Sequence, residues 1–150
     1  HFLREGYRYG LVANSDGHKG HVGTYGITAV FAKTLTRDAI FEAYRKRHVY
    51  GTTNARIRLV FTANGHLMGD VLPNTPQKEL FIDAIGESAL KKVELFRNGD
   101  LYRRFAPQGR AFKETVVVED DAPSNWYVRV TQMDNHIAYS SPVWYAEETT

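Results

Sequence analysis

Short apolar runs bounded by polar residues and glycines mark the first third of the chain. Residues 11–13 (Leu-Val-Ala) form one such run, and residues 27–32 form a second. Runs of this length with these flanks are typical of strands that are covered on both faces. We therefore predict a strand over residues 9–14 and another over residues 27–32.

Residues 36–47 have the periodicity of a helix. Thr36 is a good N-cap residue, and Asp38 falls in the first turn, where the helix dipole favours an anion. Leu35 and Ile40 occupy the positions of a hydrophobic staple. The basic run over residues 45–48 places cations at the negative end of the dipole, so capping is favoured over ligand binding.

Residues 56–147 predict an all-β region. Apolar and polar positions alternate from residue 56 to 61, and the dipeptides Asn64-Gly65 and Asn98-Gly99 are tight-turn signals. Further strands are predicted over residues 79–85, 112–118, 126–131 and 137–145. About six or seven short strands separated by turns are typical of an antiparallel immunoglobulin-like sandwich. The loop at residues 73–76 is expected to connect strands of this sandwich rather than to separate two domains.

Composition limits the classes of function. The chain has 150 residues, of which 43% are hydrophobic, and a net charge of +2. Disorder and a strong basic field for nucleic acid are therefore excluded. The absence of cysteine excludes disulfides, thiolate zinc sites and a cysteine nucleophile. No apolar run approaches the ~20 residues of a membrane span and no signal peptide is evident, so no membrane partner is expected and the compartment stays unassigned.

The strongest chemical signal is residues 15–18 (Ser-Asp-Gly-His), which follow the first predicted strand. A carboxylate and an imidazole two residues apart at the end of a strand are ligands that a divalent metal site uses. The alternative is that Asp16 belongs to a turn and His18 to a loop. His21 could supply a third ligand. However, nothing in the flexible glycine-containing segment around it, with Gly20 and Gly23, favours that geometry, so exposure to solvent is expected instead. No second cluster of ligands follows in the sequence.

Six stretches of the chain carry a resemblance to a known family. They are residues 11–18, 35–40, 47–53, 64–69, 126–131 and 140–144. Together they resemble the C-terminal end of a PHP-superfamily protein, a metal-dependent phosphoesterase, from the bacterial branch that carries a β-sandwich after its catalytic domain. The stretches cover most of the chain in the expected order, although each motif alone is weak.

The resemblance implies a distorted (β/α) barrel whose strand ends hold divalent metals (Zn, Mn or Fe), with Asp16 and His18 as the last ligand pair. It also implies a small phosphate-ester substrate. Gly17 and Lys19 stand where small hydroxyl residues are common, and the family's N-terminal His-x-His is absent. The expected fold is therefore α+β, with residues 1–55 as the C-terminal remnant of the barrel and residues 56–150 as the sandwich. The missing N-terminal barrel portion would be its partner.

Three further residues are candidates for substrate binding: Arg47, Tyr50 and Thr52. In such a barrel they would lie near the site and orient substrate oxygens. An alternative left open is a structural joint, in which Tyr50 is packed and the threonines begin a strand. Three histidines near helix or strand ends are expected at the surface, with no acidic partner at the spacing of metal ligands: His48, His66 and His136. Three aromatic residues are expected to fill or edge the core of the sandwich: Trp126, Trp144 and Tyr145. The alternative is a sugar-binding platform, which would need these rings exposed.

Two functions compete at this stage. The first is a fragment of a metal-dependent hydrolase that supplies Asp16 and His18 but is inactive alone, because it lacks most metal ligands. The second is a non-catalytic immunoglobulin-like module that binds carbohydrate or packs against a protein. Self-association through unpaired strands near Leu11 or Ile27 is a third possibility.

Overall fold

Alternation of apolar and polar side chains organises most of this protein into strands. The computed structural model describes residues 2–18, 20 and 23–147. It is 48% strand and 6% helix, and the helix within those residues is α1 (Arg37–Arg45). The strands are β1 (Ile27–Val30), β2 (Val49–Thr52), β3 (Arg58–Ala63), β4 (His66–Leu67), β5 (Val71–Pro73), β6 (Gln77–Ile85), β7 (Leu90–Arg97), β8 (Asp100–Phe105), β9 (Ala111–Glu119), β10 (Ser124–Gln132), β11 (Ile137–Ser140) and β12 (Val143–Ala146).

These strands form two sheets, which we name the large sheet and the small sheet. The large sheet runs β1-β2-β11-β10-β12-β5, and β7 pairs with both β10 and β8. Strands β11 and β12 pair with successive parts of β10, while β7 pairs along its other side. The small sheet runs β4-β3-β6-β9. This arrangement is consistent with a β-sandwich.

The core lies between the two sheets. In β6 every second residue from 78 to 84 is buried, as expected for a strand with one face on the core. Leu59 and Phe61 of β3 meet Trp126 and Val128 of β10 in one cluster, and all four are fully buried. Burial of each such side chain contributes on the order of 1.5–3 kcal/mol. Trp144 and Tyr145 are also buried, so no platform of exposed tryptophan rings is formed.

One member of the core face is a lysine. Lys78 is fully buried, and its ammonium donates to the carbonyl oxygens of Asp120 and Ala122. It lies 3.7 Å from the Asp120 carboxylate and 5.0 Å from the centre of the Tyr145 ring. Burial lowers the pKa of Lys78, although the nearby Asp120 opposes the shift. These partners explain how a cation is tolerated at the end of an apolar strand.

The two asparagine–glycine turns are confirmed. Asn64 and Gly65 have φ values of 45° and 78° and join β3 to β4, while Asn98 and Gly99 have 51° and 87° and join β7 to β8. Positive φ at both central residues is the requirement of a type I′ turn, which asparagine and glycine meet at low cost. The strands predicted over 79–85, 112–118 and 126–131 are also confirmed. The strand predicted over 137–145 is split at residues 141–142 into β11 and β12.

The predicted helix is confirmed with slightly shorter bounds. The Thr36 hydroxyl accepts a hydrogen bond from the backbone N–H of Ala39 at 3.3 Å, and Asp38 lies in the first turn. The expected hydrophobic staple is not formed, because Leu35 is 95% exposed. Only Ala43 of the helix is buried. The helix therefore buries little of its surface against the two sheets.

The expected α+β class is wrong, and the described residues contain no remnant of a (β/α) barrel. Strands β1 and β2 flank α1 in the chain, but they pair with each other antiparallel, with Ile27 opposite Thr52 and Val30 opposite Val49. A barrel unit needs parallel strands joined by a crossover helix. Here α1 is an excursion between the two strands of an antiparallel pair.

The strand predicted over residues 9–14 is not formed. This segment joins neither sheet; it crosses the outer face of the large sheet at β1 and β2. A Cβ at Gly51 would lie 2.9 Å from Ala13 Cβ, and one at Gly26 would lie 2.5 Å from the Asn14 carbonyl oxygen. Glycine at these two positions therefore allows the close approach.

The division of the chain into residues 1–55 and 56–150 stays a prediction. Strand β2 pairs with β11, so that Ala138 lies opposite Thr52 and Ser140 lies opposite Tyr50. Strands from both sides of the expected boundary thus belong to the large sheet. Among the residues that the structure describes, none of the helical segments has both the length and the hydropathy that a membrane span needs.

Candidate functional site

Hydrogen bonds hold segment 9–14, whose backbone leads into Asp16, against the large sheet. The N–H of Leu11 donates to the Ser141 hydroxyl at 2.9 Å. The Thr28 hydroxyl accepts from the N–H of Ala13 at 3.1 Å and donates to the carbonyl of the same residue at 2.8 Å. The backbone at Asn14 and Ser15 therefore continues toward Asp16 from an anchored position.

Asp16 and His18 line one open cavity of about 560 Å³. Both residues are exposed, and Asp16 has a φ of 46°, a left-handed conformation that aspartate tolerates better than most residues. Thr28 and Tyr44 contribute to the walls. Neither Asp16 nor His18 forms a side-chain hydrogen bond or ion pair with another residue of the described ranges. Both are therefore available to a ligand.

A carboxylate and an imidazole form a donor set that suits Zn, Mn or Fe. Yet the described part of the chain contains no group of three or more His, Cys, Asp or Glu residues arranged to hold a metal ion. His21, for which exposure was expected rather than a place as third ligand, and Lys19 lie outside the described residues. Asp16 and His18 therefore fit as a partial ligand set, and their role as metal ligands stays a prediction.

The three candidate substrate-binding residues lie elsewhere. The hydroxyl of buried Tyr50 donates to the carbonyl of Ile57 at 2.9 Å and accepts from the N–H of Leu59 at 3.2 Å. Burial raises the pKa of Tyr50. The hydroxyl of buried Thr52 donates to the Ala55 carbonyl at 2.6 Å. Both hydroxyls therefore bond to backbone groups of the β2–β3 connection and of the start of β3.

Arg47 contacts a different part of the fold, the β4–β5 connection and β12. Its Nε donates to the Gly69 carbonyl at 2.9 Å, and its guanidinium carbon lies 5.5 Å from the centre of the Trp144 ring. Arg47, Tyr50 and Thr52 do not line the cavity of Asp16 and His18. Thr52 lines a separate cleft with Tyr127 and Tyr139. The assignment of all three as substrate-binding residues stays a prediction.

Two histidines expected to have no acidic partner at the spacing of metal ligands contact the same carboxylate. His48 Nε2 lies 2.7 Å from Asp70 Oδ1, and His66 Nδ1 lies 3.7 Å from Asp70 Oδ2. His48 and Asp70 are half-buried. The spacing of His66 and Asp70, four residues apart, is a signal that could be read from the sequence. The contact of His48 with Asp70 depends on the fold, because 22 residues separate them.

A second Asp-x-His motif lies at Asp134 and His136. The Asp134 carboxylate accepts hydrogen bonds from Gln132 Nε2 at 3.0 and 3.2 Å and from the N–H of His136 at 3.2 Å. The bond from Gln132 is the main reason that the pKa of Asp134 is lowered. His136 Nδ1 lies 3.2 Å from the Thr53 hydroxyl. The Asp134 carboxylate therefore closes the turn between β10 and β11 through the backbone of His136, while the His136 imidazole contacts a hydroxyl.

Comparison with known proteins finds relatives without an assigned function. Residues 10–79 match the family model described as "Protein of unknown function (DUF3604)". An uncharacterized protein of Chlamydia pneumoniae is 31% identical over 95% of this chain. Uncharacterized proteins of Chlamydia muridarum and Chlamydia trachomatis serovar D are each 31% identical over 79% of it. No solved structure matches.

The relatives are much longer than this chain, which spans 28% of the first and 22% of each of the other two. The expected membership of the PHP superfamily is wrong: DUF3604 is a different family, and the matches give no phosphoesterase assignment. The missing barrel agrees with this correction. Some of the stretches that suggested the resemblance lie in the β1–β2 pair and in segment 9–14, which crosses it. The antiparallel pairing of β1 with β2 differs from the parallel pairing of a barrel unit.

Proposed function

We propose that this chain is the part of a larger divalent-metal-dependent hydrolase that contributes Asp16 and His18 as metal ligands. The observation that supports the proposal most directly is the shared cavity, in which a carboxylate and an imidazole stand without partners among the described residues. The greater length of the relatives leaves room for the remaining ligands in segments beyond these 150 residues.

The chain's own residues would have distinct roles in such a site. Asp16 would supply an anionic oxygen and His18 a neutral nitrogen, and the anchored segment before them would limit the entropy lost on coordination. Tyr44 of α1 lines the same cavity and places a phenol where a substrate oxygen could be bound. A bound Zn, Mn or Fe ion supplies Lewis acidity toward a phosphoryl oxygen and acidifies water. The substrate class we propose is therefore a small phosphate ester.

The two Asp-x-His motifs provide a direct test with Mn²⁺. The paramagnetic ion broadens NMR signals near its binding site, so that weak binding to a partial ligand set is still measurable. We expect the backbone signals of residues 15–18 to broaden at Mn²⁺ concentrations that leave residues 134–136 unaffected. Asp16→Asn should weaken the effect at least about tenfold, in line with loss of one member of a ligand set.

Asp134→Asn is the matched control, because it removes the same charge from the same spacing in the partnered motif. It should leave broadening at residues 15–18 unchanged. Equal broadening at both motifs, or unchanged broadening in Asp16→Asn, would remove Asp16 from the proposed ligand set.

A further inference from the structure

A cleft of about 570 Å³ lies on the outer face of the large sheet, beside segment 9–14. This volume is within the range of small-molecule sites. Tyr127 of β10 and Tyr139 of β11 line the cleft, and both are half-buried. Residues 126, 128, 138 and 140, which flank them in the two strands, are fully buried. Because successive side chains of a strand point to opposite faces, the two tyrosines lie on the face away from the core, where the cleft is.

Segment 9–14 forms a wall of the same cleft, to which it contributes Tyr9 and Leu11. Gly51 of β2 lies opposite Tyr139 in the pairing of β2 with β11. A Cβ at Gly51 would lie 2.9 Å from Ala13 Cβ. The missing side chain at Gly51 therefore lets the segment approach the sheet beside Tyr139, and the cleft is bounded on that side.

The two tyrosine rings of the sheet are held in place by their neighbours. The Tyr127 ring stacks on Phe96, with ring centres 4.8 Å apart and an interplanar angle of 1°. Arg129 Nη1 donates to the Tyr139 hydroxyl at 3.2 Å, and the Arg129 guanidinium carbon lies 5.8 Å from the centre of the Tyr139 ring. Arg129 Nε donates to Glu94 at 2.7 Å. The cleft is thus preformed, so a ligand that enters it orders little of the protein.

The phenol hydroxyls supply hydrogen-bond donors to the cleft. The hydroxyls of Tyr9 and Tyr127 form no hydrogen bond within the described part of the chain, and neither is among its enclosed polar atoms. Both oxygens are therefore accessible. The Tyr139 hydroxyl already accepts from Arg129, which leaves its O–H free to donate. Burial is the main reason that the pKa of Tyr127 is raised, and interaction with the phenols of Tyr139 and Tyr9 adds to the shift.

The cleft has no unpaired charge among its described lining residues. The charged residue among them is Arg4, whose guanidinium bonds to the carboxylate of Asp100 and to the carbonyl of Asn98. Leu11 and Ile137 are among the apolar lining residues. An anionic ligand would lose hydration here without gaining a free cation, and burial of an unpaired charge is unfavourable. The cleft therefore favours an uncharged ligand.

We propose that this cleft binds a small, uncharged aromatic compound that carries a carbonyl oxygen. The ring of the ligand packs against tyrosine rings and aliphatic side chains, and its carbonyl oxygen accepts from the Tyr127 hydroxyl, with Tyr9 as a second donor. This binding does not depend on a metal at Asp16 and His18, because the two cavities have only Ala13 in common among their lining residues.

The test titrates the 150-residue chain with coumarin, an uncharged bicyclic lactone, and follows protein NMR signals. We expect saturable shifts of the methyl signals of Leu11 and Ile137, which line the cleft. Naphthoate, a bicyclic ligand with a negative charge, should bind at least about tenfold more weakly than coumarin, because no free cation compensates its desolvation. Naphthalene, which lacks an acceptor, reports on packing alone.

Tyr127→Phe removes the hydroxyl but keeps the ring that stacks on Phe96. It should weaken coumarin binding about three- to tenfold, the loss expected from one hydrogen bond. Naphthalene should bind Tyr127→Phe as tightly as wild type. Tyr102→Phe is the matched control, because it removes an exposed hydroxyl of β8 that does not line the cleft. It should leave coumarin binding unchanged, as should Asp16→Asn. Thermal unfolding establishes that each variant is folded before binding is compared.

The first result that would overturn the proposal is the absence of saturable coumarin binding. The second is coumarin binding that folded Tyr127→Phe retains in full, or a loss that is equal for coumarin and naphthalene, which would make the hydroxyl a structural group. The third is naphthoate binding as tight as that of coumarin, which would assign the cleft to anions. The fourth is displacement of coumarin by a proline-rich peptide at equal concentration, which would assign the cleft to a peptide partner.

Discussion

The same spacing, Asp-x-His, occurs twice in this chain with opposite surroundings. At residues 134–136 the carboxylate accepts hydrogen bonds from buried Gln132 and from the backbone, and the imidazole contacts Thr53. At residues 16–18 neither side chain has a partner among the described residues, and both line an open cavity. Spacing alone therefore does not identify a ligand pair, because the partners of each side chain decide whether it stabilises the fold or remains free to bind.

The comparison extends to a carboxylate within the large sheet, that of Glu94 in β7. The Glu94 side chain is fully buried and contacts Arg129 at 2.7 Å, Arg104 at 2.9 Å and Lys92 at 3.2 Å. Burial alone would raise the pKa of Glu94, but hydrogen bonds from these three cations lower it to about 2. The bond from Glu94 in turn raises the pKa of Arg129. If partners determine the role of a carboxylate, Glu94 and Asp16 are the two extremes.

The largest expected effect is therefore from Glu94→Gln. The substitution keeps the shape of the side chain but removes the charge that three cations contact, and charge-assisted hydrogen bonds contribute about 1.5–3 kcal/mol each. Because the cations remain partly exposed, we expect a loss of about 2–3 kcal/mol in the free energy of unfolding, measured in urea. Glu114→Gln, at an exposed position of β9, should change it by less than about 0.5 kcal/mol. Equal losses in both variants would contradict the argument.

Acid should remove the same contribution. The pKa of Glu94 is about 2 in the folded protein and has an ordinary value of 4.5. A lowered pKa stabilises the fold above the ordinary value, and this stabilisation is lost as the pH falls through the folded value. The stability difference between wild type and Glu94→Gln should be greatest above pH 4.5 and should shrink steadily toward pH 2. A difference that stays constant across this window would show that Glu94 acts through packing alone.

An intermediate effect on the free energy of unfolding is expected from substitution of Gln132, which bonds to Asp134 of the second Asp-x-His motif. Gln132 is fully buried, and its two side-chain polar atoms bond to Asp134 and to the N–H of Ser88. Gln132→Ala leaves the Ser88 N–H without that acceptor, so we expect a loss of about 2 kcal/mol. The same variant should raise the pKa of Asp134, which carbon-detected NMR can follow. Gln77→Ala, whose partner Glu119 is exposed, is the matched control and should change stability by less than about 0.5 kcal/mol.

Much of the sandwich can be predicted from local signals. The turns at residues 64–65 and 98–99 depend on positive φ at adjacent asparagine and glycine, and the central strands show regular alternation. The helix N-cap at Thr36 is likewise a local hydrogen bond. Such features can be read because the residues that cause them are neighbours in the chain.

The topology of the first 55 residues could not be read in the same way. An apolar run such as residues 11–13 does not reveal whether its backbone joins a sheet or crosses one, and here glycines at residues 26 and 51 allow the crossing. A helix between two strands suggests a parallel unit, whereas β1 and β2 are antiparallel. The contact of His48 with Asp70 and the pairing of β2 with β11 join residues far apart in sequence. Local periodicity contains no information about such pairings.

The smallest expected effect, and the most direct test of the comparison, is from Asp16→Asn. Asparagine tolerates the left-handed φ of 46° as well as aspartate does, so the substitution removes the charge without straining the backbone. Since Asp16 has no partner in the described ranges, the free energy of unfolding should change by less than about 0.5 kcal/mol in urea. Asp134→Asn removes a carboxylate that accepts three hydrogen bonds and should be clearly less stable than wild type. If the two substitutions cost the same, Asp16 also belongs to the framework of the fold, and its freedom to bind a cation disappears with that result.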